Sequence, residues 1–259
     1  MAPQNLLLYL ANFGVLAGAI PVNVPRQDAS LPLTIIEGSS DTSSLALSQA
    51  TEVLYLYHSR LGQDGTTALV ESDVAAADAF WHATLANSTG GYIVGKARIQ
   101  ASAPPSVFNA TSIQDWFITS GTGWPNEFLE SSATHYLSFS AGGTGNEETV
   151  LESIESWGNG RPITHFKGTL EDKPAFIPAM DEFPQEAQSA LALTLEDGTV
   201  FAHSLTAARD LPDGSGVEMF QGIWVPDSTP AYVIEGLTQH LTVEFSNWLR
   251  FAYKKATTT

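Results

Sequence analysis

Six strand-like runs follow one another between residues 134 and 225, and a single long amphipathic helix comes after them. The predicted runs span 134–141, 149–157, 163–170, 188–196, 199–209 and 217–225. Turn sequences such as Asp197-Gly198 and Pro212-Asp213-Gly214 separate them, which favours antiparallel pairing of neighbouring strands. Antiparallel strands cannot cover both of their own faces, so the helix is expected to lie across one face of the sheet.

A further strand is predicted before these runs, at Gly91–Gln100. Two short helical pieces separate it from them, one opened by Pro104-Pro105 and the other a broken helix over Ser112–Glu130. The long helix is predicted at Ala231–Lys255, where apolar residues recur at helical spacing. The chain is therefore predicted to have an α+β fold in which a curved seven-stranded antiparallel sheet grips a long C-terminal helix.

The first ninety residues are predicted to form separate segments. Leu6–Ile20 is apolar and ends in small residues, which predicts a signal peptide over 1–19 and secretion. An apolar arm packed on the domain of a cytoplasmic protein is the alternative. Residues 20–89 are predicted to be an extension with two helices, Ser43–Arg60 and Asp73–Leu85, ahead of a ligand-binding domain at 90–256.

The charge balance excludes several classes of partner. The chain has 11 basic and 28 acidic residues, a formal net charge of −17, and no cysteine. Nucleic acid and anionic membrane surfaces both need clustered basic residues, so neither is expected as a partner. Without cysteine there is no disulfide, thiolate metal site or cysteine nucleophile. What remains is a partner that is uncharged, cationic or apolar.

The element order resembles that of the helix-grip superfamily, which includes START, Bet v 1 and polyketide cyclase proteins. The resemblance covers about residues 90 to 255. It is strongest at Ala97–Phe108, which is similar to the superfamily's opening strand followed by Ala-x-x-x-Val-Phe. Trp124-Pro125 and Val150–Trp157 also resemble the family pattern. Residues 30–89 lie outside the family pattern. The cone-shaped sheet of the scytalone dehydratase and nuclear transport factor 2 group, which places helices before its sheet, is the alternative.

The resemblance implies an apolar cavity between sheet and helix, in which superfamily members bind or transform lipids, hormones and polyketides. Catalysis there needs polar groups in phase with apolar ones. By the two-residue period of a strand, His203 shares a face with Phe201 and Leu205. His135 likewise alternates with Leu137 and Phe139. Core histidines bonded to backbone carbonyls would produce the same pattern.

His240 and Glu244 lie four residues apart on the predicted C-terminal helix and therefore on one of its faces. A carboxylate beside an imidazole can fix the imidazole's tautomer and support general-base catalysis. An ordinary exposed pair at the edge of the apolar stripe is the alternative. The predicted catalytic residues are thus His135, His203, His240 and Glu244.

Large apolar side chains are predicted to bind the substrate. These are Trp116, Trp124, Tyr136, Phe139, Phe201, Trp224, Leu237 and Leu241. No close histidine pair or phosphate-binding glycine loop is present, so no metal and no cofactor are predicted.

Two functions remain open at this point. The first is a cofactor-independent tailoring enzyme that cyclises, dehydrates or isomerises a polyketide- or terpenoid-like substrate, with histidines as acid and base. The second is a secreted carrier of hydrophobic ligands without catalytic activity. A polar pair buried within the apolar interior favours the enzyme over the carrier.

Overall fold

The computed structural model describes residues 31–38, 44–120, 126–132, 135–140, 149–157 and 161–258. The predicted signal peptide and Trp124 lie outside the described residues. Four helices are present in the described part of the chain: α1 (Ser44–Asn87), α2 (Ala110–Ser120), α3 (Glu127–Glu130) and α4 (Ala231–Thr258). Its strands are β1 (Leu33–Glu37), β2 (Tyr92–Ser102), β3 (His135–Ser140), β4 (Thr149–Ser156), β5 (Ile163–Glu171), β6 (Gln188–Thr194), β7 (Val200–Asp210) and β8 (Gly216–Pro226).

The strands form one open antiparallel sheet in the order β1-β2-β8-β7-β6-β5-β4-β3. The predicted α+β class and the long C-terminal helix are confirmed, but the predicted number of strands is wrong. The sheet has eight strands rather than seven, because Leu33–Glu37 in the predicted N-terminal extension pairs with β2. This run is short, and Pro32 precedes it, so its alternation gave only a weak strand signal.

The two helices predicted before residue 90 form one element, α1, with a single interruption at Gly62 (φ 66°). The predicted start at Asp73 is wrong, because the helix continues through that position and the Asp73 carboxylate pairs with Arg161 at 3.0 Å. Val70, Ala77 and Trp81 are buried at helical spacing along this part of α1. Their burial stabilises the helix through the polar stretch that follows Gly62.

Both long helices pack on the same face of the sheet, with α1 across β5, β3 and β7 and α4 across β2 and β8. The main core lies between them, and in it Trp81 contacts Phe201 with a ring separation of 4.8 Å. No helix in the ranges described above combines the length and apolarity needed to cross a bilayer. Apolar residues of both long helices are buried in the main core.

The opposite face of the sheet carries a smaller core formed with the connection between β5 and β6. This covering explains why β8 is buried along its whole length. Glu218 points to this face from β8 and is 1% exposed. Arg98 and Arg209, on the neighbouring strands, donate to its two oxygens at 2.7 and 2.6 Å. The carboxylate is therefore neutralised from both sides.

Replacing Glu218 with glutamine should destabilise the fold by about 3 kcal/mol, because removing one partner of a buried ion pair leaves the other charges uncompensated. Urea unfolding measures the change. Glu182→Gln is the matched control, since Glu182 also pairs with Arg98 but is an exposed residue. We expect it to cost less than about 1 kcal/mol. Equal losses in the two variants would contradict the role given to Glu218.

Candidate metal centre

Four ionisable side chains converge in the interior between the far edge of the sheet and α4. His135 lies at the start of β3, Glu155 is its direct partner on β4, and His240 and Glu244 are one turn apart on α4. His135 is fully buried, and the other three residues are 6–7% exposed. All four side chains are therefore almost entirely enclosed by the protein.

The donor atoms of the four residues all lie within 4.8 Å of one another. His135 Nε2 is 2.8 Å from Glu155 Oε2 and 3.4 Å from Glu244 Oε1. His240 Nε2 is 3.2 Å from Glu155 Oε2 and 3.4 Å from Glu244 Oε2. The two Nε2 atoms are 3.4 Å apart. Both rings thus direct the same nitrogen toward one point between the carboxylates.

The ring of His135 is oriented by the backbone of α3. Its Nδ1 lies 2.9 Å from the carbonyl oxygen of Phe128, and because a carbonyl only accepts, Nδ1 carries a proton. In the neutral ring, Nε2 then presents a lone pair to the cluster. Ser131 Oγ donates to the same carbonyl, and Asn247 on α4 donates to the backbone of Ser131. Outer-shell bonds of this kind orient histidine ligands of metals.

The two carboxylates differ in their surroundings. The indole of Trp157 donates to Glu155 Oε1 at 3.2 Å, which leaves Oε2 directed toward the histidines. Glu244 instead presents one oxygen to His135 and the other to His240. Glu155 is therefore fixed as a one-oxygen donor, whereas both oxygens of Glu244 face the centre.

The electrostatics of the cluster require a positive charge at its centre. Burial alone would lower the pKa of His240, but the charge and hydrogen bonds of Glu155 and Glu244 outweigh burial and raise it to about 10. Burial likewise opposes ionisation of Glu155, yet His240 and His135 hold the pKa of Glu155 well below its ordinary value. Two carboxylates facing two imidazole nitrogens bind a cation, either a proton or a metal ion.

The spacing of the donors fits a metal ion. Zinc binds histidine nitrogen at ~2.0–2.1 Å in tetrahedral sites, so neighbouring ligand atoms are separated by ~3.3 Å. The separation of 3.4 Å between His135 Nε2 and His240 Nε2 agrees with that value. The separations of 3.2 and 3.4 Å between His240 and the two carboxylates agree as well, whereas the 2.8 Å between His135 Nε2 and Glu155 Oε2 is shorter and is a hydrogen-bond distance. Nitrogen and carboxylate oxygen donors are also the types that zinc prefers when cysteine is absent.

His58 on α1 lies behind His135 and is 1% exposed. Burial and the neighbouring charge of His135 lower the pKa of His58 to about 4, although a hydrogen bond to the His135 backbone opposes the shift. His58 is therefore neutral at physiological pH. It supports β3 at the residue that supplies the first imidazole.

The structure brings together His135, His240 and Glu244 from the predicted catalytic set but places His203 elsewhere. His203 lies on the opposite face of the sheet, where its Nδ1 is 2.7 Å from Glu171 and its ring contacts Tyr92 and Phe176. A register shift between β6 and β7 at this point puts both Phe201 and Ala202 in the main core. This bulge moves His203 to the other face, so the two-residue period did not hold.

The predicted substrate-binding residues are divided between different parts of the fold. Trp116, Phe201, Leu237 and Leu241 are buried in the main core. Trp224 packs in the smaller core on the opposite face, and Tyr136 packs beside Leu137 and Ile154. Phe139 lies on β3, and Trp124 is outside the described residues.

Sequence reasoning missed Glu155. A signal was present, because Glu155 shares the face of its strand with Ser153 and Trp157 by the two-residue period. A glutamate in phase with a tryptophan inside a predicted strand is an unusual position for a solvated charge. His240 and Glu244 were recognised as a pair, and both are buried rather than exposed at the edge of the stripe.

No protein-family model matches the chain, and a search of curated proteins finds no significant match.

Proposed function

We propose that this protein is a zinc-dependent hydrolase of an apolar small molecule. The observation that carries the proposal is the convergence of His135, His240, Glu155 and Glu244 on one buried point, where the separations that involve a histidine Nε2 are 2.8 to 3.4 Å. This replaces the expectation of a cofactor-independent mechanism. The apolar walls around the site and the net charge of −17 support an uncharged substrate.

The differences between the carboxylates support distinct roles for them. Two histidines and one glutamate form a common ligand set for catalytic zinc, which leaves a fourth position for water. Glu155 suits the third ligand position because Trp157 already holds its other oxygen. Glu244 suits the general base, since both of its oxygens face the centre.

The reaction follows from these positions. His135, His240 and Glu155 would hold the zinc ion, which would lower the pKa of water and polarise a carbonyl group. Glu244 accepts a proton from the water, whose oxygen forms a bond to the carbonyl carbon of the substrate. The bond from that carbon to the leaving group then breaks, and Glu244 returns the proton to the leaving group. Protons and electron pairs balance, and no oxidant or reductant is needed.

We also propose that the fold is of the helix-grip type. The order β2-β8-β7-β6-β5-β4-β3, with α2 and α3 after the first of these strands and α4 after the last, supports it. In this proposal β1 and α1 are additions to that plan. Secretion remains a prediction from the apolar segment Leu6–Ile20.

The proposal predicts that the protein purified from zinc-supplemented cells contains about one zinc ion per chain, measured by plasma mass spectrometry. Dialysis against a chelator should remove the ion and abolish hydrolysis of the chromogenic apolar ester 4-nitrophenyl butyrate. Restoring zinc should restore both. Protein that lacks metal and cannot be loaded would overturn the proposal and favour the carrier, with an imidazolium of His240 neutralising the carboxylates.

A further inference from the structure

The short helix α3 is held at both of its ends by buried asparagine side chains. Asn126 immediately precedes the helix, and its Oδ1 accepts from the backbone N–H of Leu129 at 2.9 Å while its Nδ2 donates to the carbonyl of Ser138 on β3 at 2.8 Å. At the other end, Asn247 on α4 donates to the carbonyl of Ser131 at 2.8 Å. A helix of one turn is not stable through its own hydrogen bonds, so these two amides fix its position.

The two asparagines attach α3 to both elements that carry histidines of the proposed centre. His135 is the first residue of β3, and α4 carries His240 and Glu244. Between the two attachments, the carbonyl of Phe128 accepts from Nδ1 of His135. The placement of α3 therefore sets the orientation of the His135 ring relative to the ligands on α4.

Ser131, at the end of α3, holds the Phe128 carbonyl in place. Its Oγ donates to that carbonyl at 2.6 Å, and its backbone N–H donates to it at 3.2 Å. Ser131 is 0% exposed, so water does not reach the carbonyl to replace the hydroxyl. Without the hydroxyl, only the longer and weaker backbone bond would remain at this end of the helix. The hydroxyl is therefore the side-chain group that fixes the acceptor of His135.

The proton of a neutral His135 ring has two acceptors that compete for it. Nδ1 faces the Phe128 carbonyl at 2.9 Å, and Nε2 faces Glu155 Oε2 at 2.8 Å. A metal ion needs the lone pair of Nε2, so the proton has to stay on Nδ1. We infer that Ser131 is a positioning residue of the metal centre, whose hydroxyl keeps the Phe128 carbonyl on Nδ1 and so leaves Nε2 of His135 to the metal.

The inference rests on the proposed function in taking His135 as a zinc ligand. Ser131→Ala removes the hydroxyl and keeps the backbone hydrogen bonds of α3. We expect this variant to bind zinc about 10-fold more weakly, as for the loss of an outer-shell partner. Competition with a chromogenic chelator measures the dissociation constant.

Ser153→Ala is the matched control. Ser153 is also a buried serine, and its Oγ donates to the backbone carbonyl of Leu137 at 2.9 Å. That bond joins β4 to β3 but does not involve the acceptor of His135. Urea unfolding should show similar losses of stability in the two variants, because each loses one buried hydrogen bond of the same kind. The control should nevertheless bind zinc as tightly as the wild type.

A second measurement needs no metal. In NMR spectra of the metal-free protein, the Nδ1 proton of His135 should exchange slowly with water in the wild type and in Ser153→Ala. In Ser131→Ala it should exchange about 5-fold faster, the ratio expected for the loss of one hydrogen bond. Unchanged exchange in Ser131→Ala, or equal changes in zinc affinity for the two variants, would overturn the inference. If the wild type holds no zinc, the proposed function fails, and the exchange rates alone decide the role of Ser131.

Discussion

Replacing His240 with alanine should reduce zinc binding by more than ~100-fold, since loss of an outer-shell partner alone weakens metal binding by ~10–100-fold. His240 Nε2 lies 3.2 Å from Glu155 and 3.4 Å from His135, so no other described side chain can take its place in the cluster. Competition with a chromogenic chelator measures the dissociation constant. The variant should purify with less than about a tenth of the wild-type zinc content.

His203→Ala is the matched control for this loss. His203 is also a partly buried histidine paired with a glutamate, but it lies on the opposite face of the sheet. Its replacement should leave zinc content and affinity unchanged. A His240→Ala variant that binds zinc as tightly as the wild type would contradict the proposed metal centre, as would equal losses in the two variants.

Replacing Glu244 with glutamine should lower kcat/KM for 4-nitrophenyl butyrate by ~10²–10⁴-fold, the usual contribution of a general base. Zinc should remain bound, because His135, His240 and Glu155 still provide three ligands. Glutamine keeps the length of the side chain and removes its capacity to accept a proton at neutral pH. Steady-state kinetics on zinc-loaded protein measures the effect.

Glu155→Gln separates the two carboxylates. We expect it to lose zinc, since Glu155 is the carboxylate that Trp157 fixes in a one-oxygen position. The turnover of 4-nitrophenyl butyrate would also fall, because the metal is lost. If Glu244→Gln also purified without zinc, Glu244 would be a fourth ligand and the role of base would belong to another group.

Much of the fold follows from patterns that need only local information. Alternating apolar residues and turn sequences predict the strands from β2 to β8 and the helix α4. The strand β1 was not predicted, because it has only five residues and follows Pro32, so its local strand signal is weak. The continuity of α1 past Asp73 is likewise not visible in the local sequence. It depends on contacts with the rest of the fold, namely the burial of Trp81 and the ion pair of Asp73 with Arg161.

The candidate site could be predicted only in part. His135, His240 and Glu244 carry local signals, namely strand phase and the four-residue spacing of a helix. Glu155 enters the site through its register with His135, which the sequence does not specify. His203 is not part of the site, because one extra residue in β7 reverses the alternation of side chains between the two faces of the sheet after Phe201. Register and bulges are set by tertiary packing. Residue spacing alone therefore could not show that Glu155 belongs to the site and that His203 does not.

The position of β3 at the end of the sheet order gives the four-residue cluster a second consequence, for folding cooperativity. In this sheet β3 has a paired neighbour on one side only, and such edge strands are the first to open. His135 and His240 are separated by 105 positions, and an ion between them closes a loop of that length. An ion that binds the folded chain and not the unfolded one stabilises the fold by about 2.7 kcal/mol at a free concentration 100 times its dissociation constant. Metal binding at the proposed centre would therefore make the edge strand unfold together with the rest of the molecule.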